Sequence, residues 1–290
     1  MKRTVVALGN FDGVHLGHQR IIKDAVAFAR RKRLPALAIT FDPHPQQYIV
    51  PERGLKLLTT LSERRELLLK LGIDRVVVIK FTKALQNLSS CDFVRKILAK
   101  KLRAAFVFVG FDFAFGHKRQ GEVRHLRKLG QQVKFKVLVV RPVKADHKAI
   151  KSSLIRNLIT QGNFNRAVHL LGHPYQLTGK VIRGTGRGRA LGFPTANLRL
   201  DLHKLIPQHG VYLGKVGKRR AVVNIGARPT FGAGKVAVEA HILNFKKKLY
   251  SRILRVQLMR KIREELQFSD TKELSRQIRK DIAICRSAVL

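Results

Sequence analysis

The chain has 290 residues, 45% of them hydrophobic, and 59 Lys and Arg against 18 Asp and Glu give it a net charge of +41. That length predicts two domains, each with enough apolar residues for a core of its own. The apolar run after Met1-Lys2-Arg3 stops at Leu8, too short for a secretory core, and no stretch reaches the ~18 apolar residues of a membrane span.

In the first part, short β-branched or aromatic runs predict buried strands at Thr4 to Leu8, Pro35 to Phe41, Arg75 to Phe81, Ala105 to Val109 and Phe135 to Val140. Apolar residues at three- and four-residue spacing predict helices between them, over His18 to Arg31, Ser62 to Leu71, Cys91 to Leu102 and Glu122 to Leu129. This alternation is that of a Rossmann-like, doubly wound parallel sheet. A further helix is expected to begin around Ser153. After Gly162 the pattern turns to strands over Gln176 to Ile182, Gly210 to Val216, Arg220 to Ile225, Val236 to Phe245 and Ile253 to Met259. An antiparallel β-barrel buries such strands without open edges. Thr271 to Arg286 places Leu274, Ile278, Ile282 and Cys285 on one helical face, predicting a terminal helix packed on the barrel. The predicted domains are therefore 1–170 and 171–290.

The first candidate site is Gly9-Asn10-Phe11-Asp12-Gly13-Val14-His15-Leu16-Gly17-His18, between the first strand and the first helix. A helix N-terminus there offers free N–H groups to phosphate, and ligands of open α/β sheets sit outside the strand ends. His15 and His18 are placed to donate to phosphate oxygens, with Gly17 allowing close backbone approach. The chemistry this suggests is nucleotidyl transfer from ATP. Two solvent-facing histidines, or a two-His metal site, are the alternatives the spacing leaves open.

This stretch resembles the HxGH signature of nucleotidyltransferases, and its longer wording is similar to the adenylyltransferase half of bacterial bifunctional riboflavin kinase/FAD synthetases. The resemblance extends to Thr40-Phe41-Asp42-Pro43-His44-Pro45, to Val109-Gly110-Phe111-Asp112-Phe113-Ala114-Phe115-Gly116, and to Ser152-Ser153-Leu154-Ile155-Arg156. It implies that Ser152, Ser153 and Arg156 hold the β- and γ-phosphates of ATP, and that Asp42 and Asp112 line the flavin side. Taken alone, two serines before a helix read as an ordinary N-cap. Lys151 stands where the family more often has another serine.

The second candidate site is the Gly-rich arm Gly184-Thr185-Gly186-Arg187-Gly188-Arg189-Ala190-Leu191-Gly192-Phe193-Pro194-Thr195-Ala196-Asn197. Its glycine spacing fits neither a dinucleotide fingerprint nor a Walker loop. Backbone N–H groups at Gly184, Gly188 and Gly192 could wrap phosphates, and Thr195 and Asn197 offer oxygen ligands to Mg2+. A flexible hairpin is the plainer reading. Gly192 to Asn197 resembles the GFPTAN motif of riboflavin kinases, and Pro207 to Tyr212, Asn224 to Gly232 and Val238 to Leu243 are similar to further blocks of that module. The resemblance implies Glu239 as general base toward the ribityl 5′-hydroxyl and Arg263 as a residue lining the flavin site, with riboflavin, FMN, FAD and ATP as substrates or products. Asn244 and Lys248 replace acids, and Ser251 a glycine, that the family favours.

Two cysteines, Cys91 and Cys285, allow neither a disulfide framework nor a four-thiolate metal site and favour a reducing, cytoplasmic setting. The basic excess attracts polyanions, but it is spread over both halves, and Arg30 to Arg33 and Lys246 to Lys248 are only short runs. Weak, non-specific polyanion binding is the expectation. The competing reading is a nucleic-acid- or ribosome-associated protein built on the same fold.

Overall fold

The computed structural model describes residues 3–117, 120–227, 236–245 and 247–288. Their contacts divide the chain into two units, Met1–Ser152 and Ser153–Leu290.

The first unit begins with strand β1 (Thr4–Leu8), buried at every position. Val5 and Ala7 face one core while Val6 and Leu8 face the other, as the two-residue period of a strand covered on both sides requires. Helix α1 (Leu16–Lys32) follows and returns the chain to β2 (Ala36–Asp42). Next come α2 (Pro45–Ile49), then α3 (Leu61–Lys70), whose start is fixed by a reciprocal capping box between Thr60 and Glu63, then β3 (Arg75–Lys80). Short helices α4 (Lys83–Gln86) and α5 (Ser90–Asp92) lead to a π-helical stretch, Phe93–Lys101, and to β4 (Ala104–Gly110). The sequence predicts an ordinary helix over Cys91 to Leu102. Instead, Leu102 N–H reaches back five residues to the Ile97 carbonyl at 3.0 Å, yet Phe93, Val94 and Leu98 still face the sheet.

A small ribbon, β5 (Ala114–Phe115) and β6 (Gly121–Glu122), precedes α6 (Val123–Gln132) and β7 (Lys136–Val140). A second ribbon, β8 (Lys144–Ala145) and β9 (Lys148–Ala149), leads to α7 (Ser152–Thr160). The five-stranded sheet runs β3-β2-β1-β4-β7 with all pairs parallel. Residues of α1 and α3 fill one face, and those of the π-helical stretch and α6 the other.

In the second unit, α8 (Phe164–Leu171) follows α7 and buries Phe164, Ala167, Leu170 and Leu171. This helix lies where the sequence reading gave no element. Strands β10 (Tyr175–Ile182), β11 (Ala196–Leu200), β12 (Gly210–Val216), β13 (Arg219–Ala227), β14 (Val236–Ile242) and β15 (Ile253–Arg263) close a barrel in the order β10-β11-β14-β13-β12-β15, with a helical turn, α9 (Arg187–Ala190), between the first two. The pairs are all antiparallel, so the expected barrel is present and closed. Phe164 packs edge-on against Tyr212 with centroids 4.9 Å apart. Burial pushes the Tyr212 phenol well above its usual pKa, and its hydroxyl donates to the Gln208 carbonyl at 2.6 Å. Terminal helix α10 (Thr271–Ser287) lays Ile282 and Cys285 on Val211, Leu213 and Val222 of the barrel.

Ser251, where the resemblance favours glycine, has φ of 64°. A side chain in that left-handed region costs roughly 1–2 kcal/mol, against which glycine loses about 0.5–1 kcal/mol of extra chain entropy on folding. Ser251→Gly should therefore raise the stability of the barrel by about 0.5–1 kcal/mol. Tyrosine fluorescence during urea unfolding reads this, since Tyr175, Tyr212 and Tyr250 all belong to the second unit. A lowered midpoint would show that the Ser251 side chain, not backbone strain, dominates there.

Candidate active sites

The first site is a tethered loop between β1 and α1. Phe11, Gly13 and Val14 all have positive φ, and the Phe11 side chain is fully buried. The Phe11 ring meets that of His18 edge-on at 5.3 Å. Asp12 is 1% exposed, and its carboxylate accepts from Leu58 N–H (3.1 Å), Thr59 N–H (3.0 Å) and the Thr59 hydroxyl (3.1 Å). The guanidinium of Arg64, 2% exposed, stands 3.7 Å away and donates to the Thr40 hydroxyl at 2.9 Å. Thr40 in turn donates to the Asn10 carbonyl at 2.8 Å. A buried carboxylate needs this company, because removing a charge from water costs several kcal/mol unless it is paired and hydrogen-bonded. Asp12 is thereby spent on shaping the loop.

His15 caps α1, its Nδ1 accepting from His18 N–H at 3.3 Å. An accepting Nδ1 leaves the ring proton on Nε2. The two imidazoles stack with centroids 3.7 Å apart. Gly17 permits this arrangement, since a Cβ there would lie 3.1 Å from His15 Cε1 and 3.3 Å from the Ile150 carbonyl. A Cβ on Gly9 would likewise press on the Phe11 ring at 3.1 Å.

Ser152, the first residue of α7, donates from its hydroxyl to the Asp12 carbonyl at 2.8 Å, which brings it to the loop. Ser153 and Arg156 continue on the first turns of the same helix. Asp42 is exposed at the end of β2, and Asp112, beyond β4, pairs with Lys151 at 2.8 Å.

The Gly-rich arm is folded as a turn. Gly186 (φ 81°) caps α9, and Phe193 N–H returns to the Gly188 carbonyl at 2.7 Å, where a Cβ on Gly188 would meet the Phe193 carbonyl at 2.6 Å. The motif then runs directly into β11, a strand that the sequence reading passed over. Asn197 on β11 is the register partner of Glu239 on β14, and Glu239 is also opposite Asn224 on β13. The Thr195 hydroxyl donates to Glu239 Oε2 at 3.1 Å. His241, two residues along the same face of β14, meets the Pro194 carbonyl through Nδ1 at 2.9 Å and stands edge-on to Phe193 at 6.0 Å. Phe193 lines a cleft of about 620 Å³ together with Arg279, Ile282, Ala283, Arg286 and Ser287. Within the block Asn224 to Gly232, Arg228, Pro229, Thr230, Phe231 and Gly232 lie outside the described residues.

Arg263 grips Asp281 of α10 with two nitrogens, Nε at 3.0 Å and Nη2 at 2.7 Å, and Asp281 is 2% exposed. It holds the terminal helix that forms one wall of the cleft. Thr195 and Asn197 supply hydroxyl and amide oxygens, hard donors suited to Mg2+. Sequence reasoning missed Thr59 and Arg64 around Asp12 and Asp281 on α10, and singled out Thr40 and His241 only as members of longer blocks.

The chain thus couples a nucleotidyltransferase-type α/β unit to a kinase-type barrel: the FAD synthetase family model matches residues 1–154 and the riboflavin kinase family model residues 171–289. Curated bifunctional riboflavin kinase/FMN adenylyltransferases from Buchnera aphidicola (Schizaphis graminum strain; 36% identity, 98% of this chain, 93% of the relative) and Listeria monocytogenes (38%, 96% and 90%) are similar along almost their whole length. A solved structure from Streptococcus pneumoniae, described as a macrolide-efflux protein, superposes with a TM-score of 0.87 at 28% identity, covering 100% of this chain and 96% of that one. Among the described residues no helix is long and apolar enough to cross a membrane. The chain belongs to the bifunctional riboflavin kinase/FMN adenylyltransferase family.

Arg64→Met should destabilise the first unit by about 3–5 kcal/mol, because it leaves the Asp12 charge buried without its guanidinium. Combining it with Asp12→Asn should recover much of that loss. Thermal unfolding followed by circular dichroism separates the two variants, and a single mutant within 1 kcal/mol of the parent would show that Arg64 does not compensate Asp12.

Proposed function

We propose a residue-level course for the two reactions of this riboflavin kinase and FMN adenylyltransferase. In the second unit, Glu239 takes the proton of the ribityl 5′-hydroxyl as that oxygen bonds to the γ-phosphorus of ATP, the bond to the bridging oxygen breaks, and ADP leaves. Thr195 and Asn197 hold Mg-ATP, and Gly184, Gly188 and Gly192 let the arm close on its phosphates. A magnesium ion would neutralise charge on the β- and γ-phosphates. The flavin ring would lie at the cleft beside Phe193, which Ile282 and Ala283 wall and Arg279 and Arg286 flank. Arg263 serves it indirectly, by anchoring α10.

In the first unit, an FMN phosphate oxygen attacks the α-phosphorus of ATP and pyrophosphate departs. His15, donating from Nε2, and His18 stabilise the charge that builds on the α-phosphate. Gly9, Asn10, Phe11 and Gly17 present backbone to the nucleotide, and Asp12 holds that backbone in place. By resemblance Ser152, Ser153 and Arg156 bind the β- and γ-phosphates, and Asp42 and Asp112 lie on the flavin side. The observation that carries this reading is that each unit assembles its own set: stacked, capped histidines at the first helix, and Glu239 hydrogen-bonded to Thr195 and paired with Asn197. Two free thiols support a reducing, cytoplasmic setting, and the basic surface supports weak, salt-sensitive polyanion association.

Incubation with riboflavin and Mg-ATP, followed by separation of the flavins, tests both halves. Glu239→Gln should slow FMN formation by roughly 10²–10⁴-fold while leaving adenylylation of supplied FMN intact. His15→Ala with His18→Ala should cut FAD formation by about 10²-fold or more and spare FMN formation. Loss of both activities in either folded variant would remove the two-site assignment.

A further inference from the structure

The order β3-β2-β1-β4-β7 reverses direction between β1 and β4, and in open α/β sheets ligands enter at that reversal, outside the carboxyl ends of the strands. The loop that carries His15 leaves β1 at this point, and the segment beginning Gly110-Phe111-Asp112 leaves β4 beside it. Lys151 Nζ lies 2.8 Å from Asp112 Oδ2 and 5.5 Å from the Phe111 ring centroid. Its neighbour Ser152 is fastened to the Asp12 carbonyl. One short segment therefore ties a lysine to both rims of the crevice.

Both partners of the ion pair are about half exposed, at 51% each. Such a pair contributes little to stability and separates readily. A phosphate group, with up to two negative charges and three acceptor oxygens, is a stronger partner for an ammonium than a single carboxylate. Without the lysine, the Asp112 carboxylate would face incoming anions unscreened.

We propose that Lys151 is a specificity-determining residue of the adenylyl transfer: in the empty site its ammonium neutralises Asp112, which would otherwise repel an approaching anion, and it then leaves Asp112 to bind a substrate phosphate. The inference rests on the first unit being the adenylyltransferase. The phosphate belongs either to FMN or to the triphosphate of ATP, and the two substrates can be varied separately.

Steady-state FAD formation is measured with the full-length protein, FMN and ATP being titrated in turn, for the parent, Lys151→Ser, Lys151→Arg, and Lys151→Ser combined with Asp112→Asn. Lys151→Ser should raise KM for one of the two substrates about three- to tenfold at low salt, with kcat within a factor of about two. Lys151→Arg should keep the parental KM, and the double variant should recover part of the loss as the repelling carboxylate is neutralised. Added salt should narrow the gap between parent and Lys151→Ser. FMN formation from riboflavin should be the same in the parent and Lys151→Ser. The inference is overturned if both KM values stay at the parental level, or if kcat alone falls. Failure of the parent itself to convert FMN to FAD would instead remove the adenylyltransferase reading on which the inference depends.

Discussion

The Asp12 carboxylate is buried in the loop between β1 and α1, and the surrounding residues of the first unit are arranged to make that tolerable. Two backbone N–H groups, the Thr59 hydroxyl and the Arg64 guanidinium surround it, and Arg64 passes the constraint through Thr40 to the Asn10 carbonyl. The return on this desolvation is geometric. Phe11 and Val14 occupy backbone conformations that cost free energy, and they persist because Asp12, between them, is held on several sides. With the loop so fixed, His15 caps the start of α1, and its ring stacks on His18.

The barrel solves a different problem, that of bringing an acid and a hydroxyl separated by 44 residues into contact. Strand pairing does it. Asn197 and Glu239 are register partners, and side chains directly opposite on one face of an antiparallel pair stand about 5 Å apart at Cβ. A slip of one residue between β11 and β14 would turn one partner to the far face and separate Asn197 from Glu239. Arg263 and Asp281 extend the same control to the terminal helix, through a bidentate contact whose planar geometry sets orientation together with distance.

The elements legible in the sequence were those whose signal is local. The run Thr4–Leu8 gave a buried strand because it is covered on both faces, and Thr271–Ser287 gave a helix because its apolar residues repeat at helical spacing. The histidine pair and the GFPTAN-like stretch were legible for the same reason, as short contiguous motifs. Strand β11 escaped because Gly192 and Pro194 just before it read as turn, while its partners lie on β10 and on the distant β14. Helix α8 escaped because it is only eight residues long and lies between two glycines, Gly162 and Gly172. The π winding left no trace in the pattern, since Phe93, Val94 and Leu98 face the core under either hydrogen-bond spacing. The environment of Asp12 could not be read at all: Thr59 is 47 residues away in sequence, and nothing local marks the pair.

Closure of the barrel has a consequence for the order in which a ribosome delivers the chain. Strand β15 bonds to both β10 and β12 and is the last strand made, so two edges stay open until about residue 263 has emerged. The sheet of the first unit, complete at Val140, needs no such wait. During that interval β10 and β12 present unpaired backbone to any neighbouring nascent chain, a hazard that charged side chains on edge strands reduce. Lys180 and Lys215, one on each waiting strand, are placed where mutual repulsion between chains would discourage pairing before the proper partner arrives.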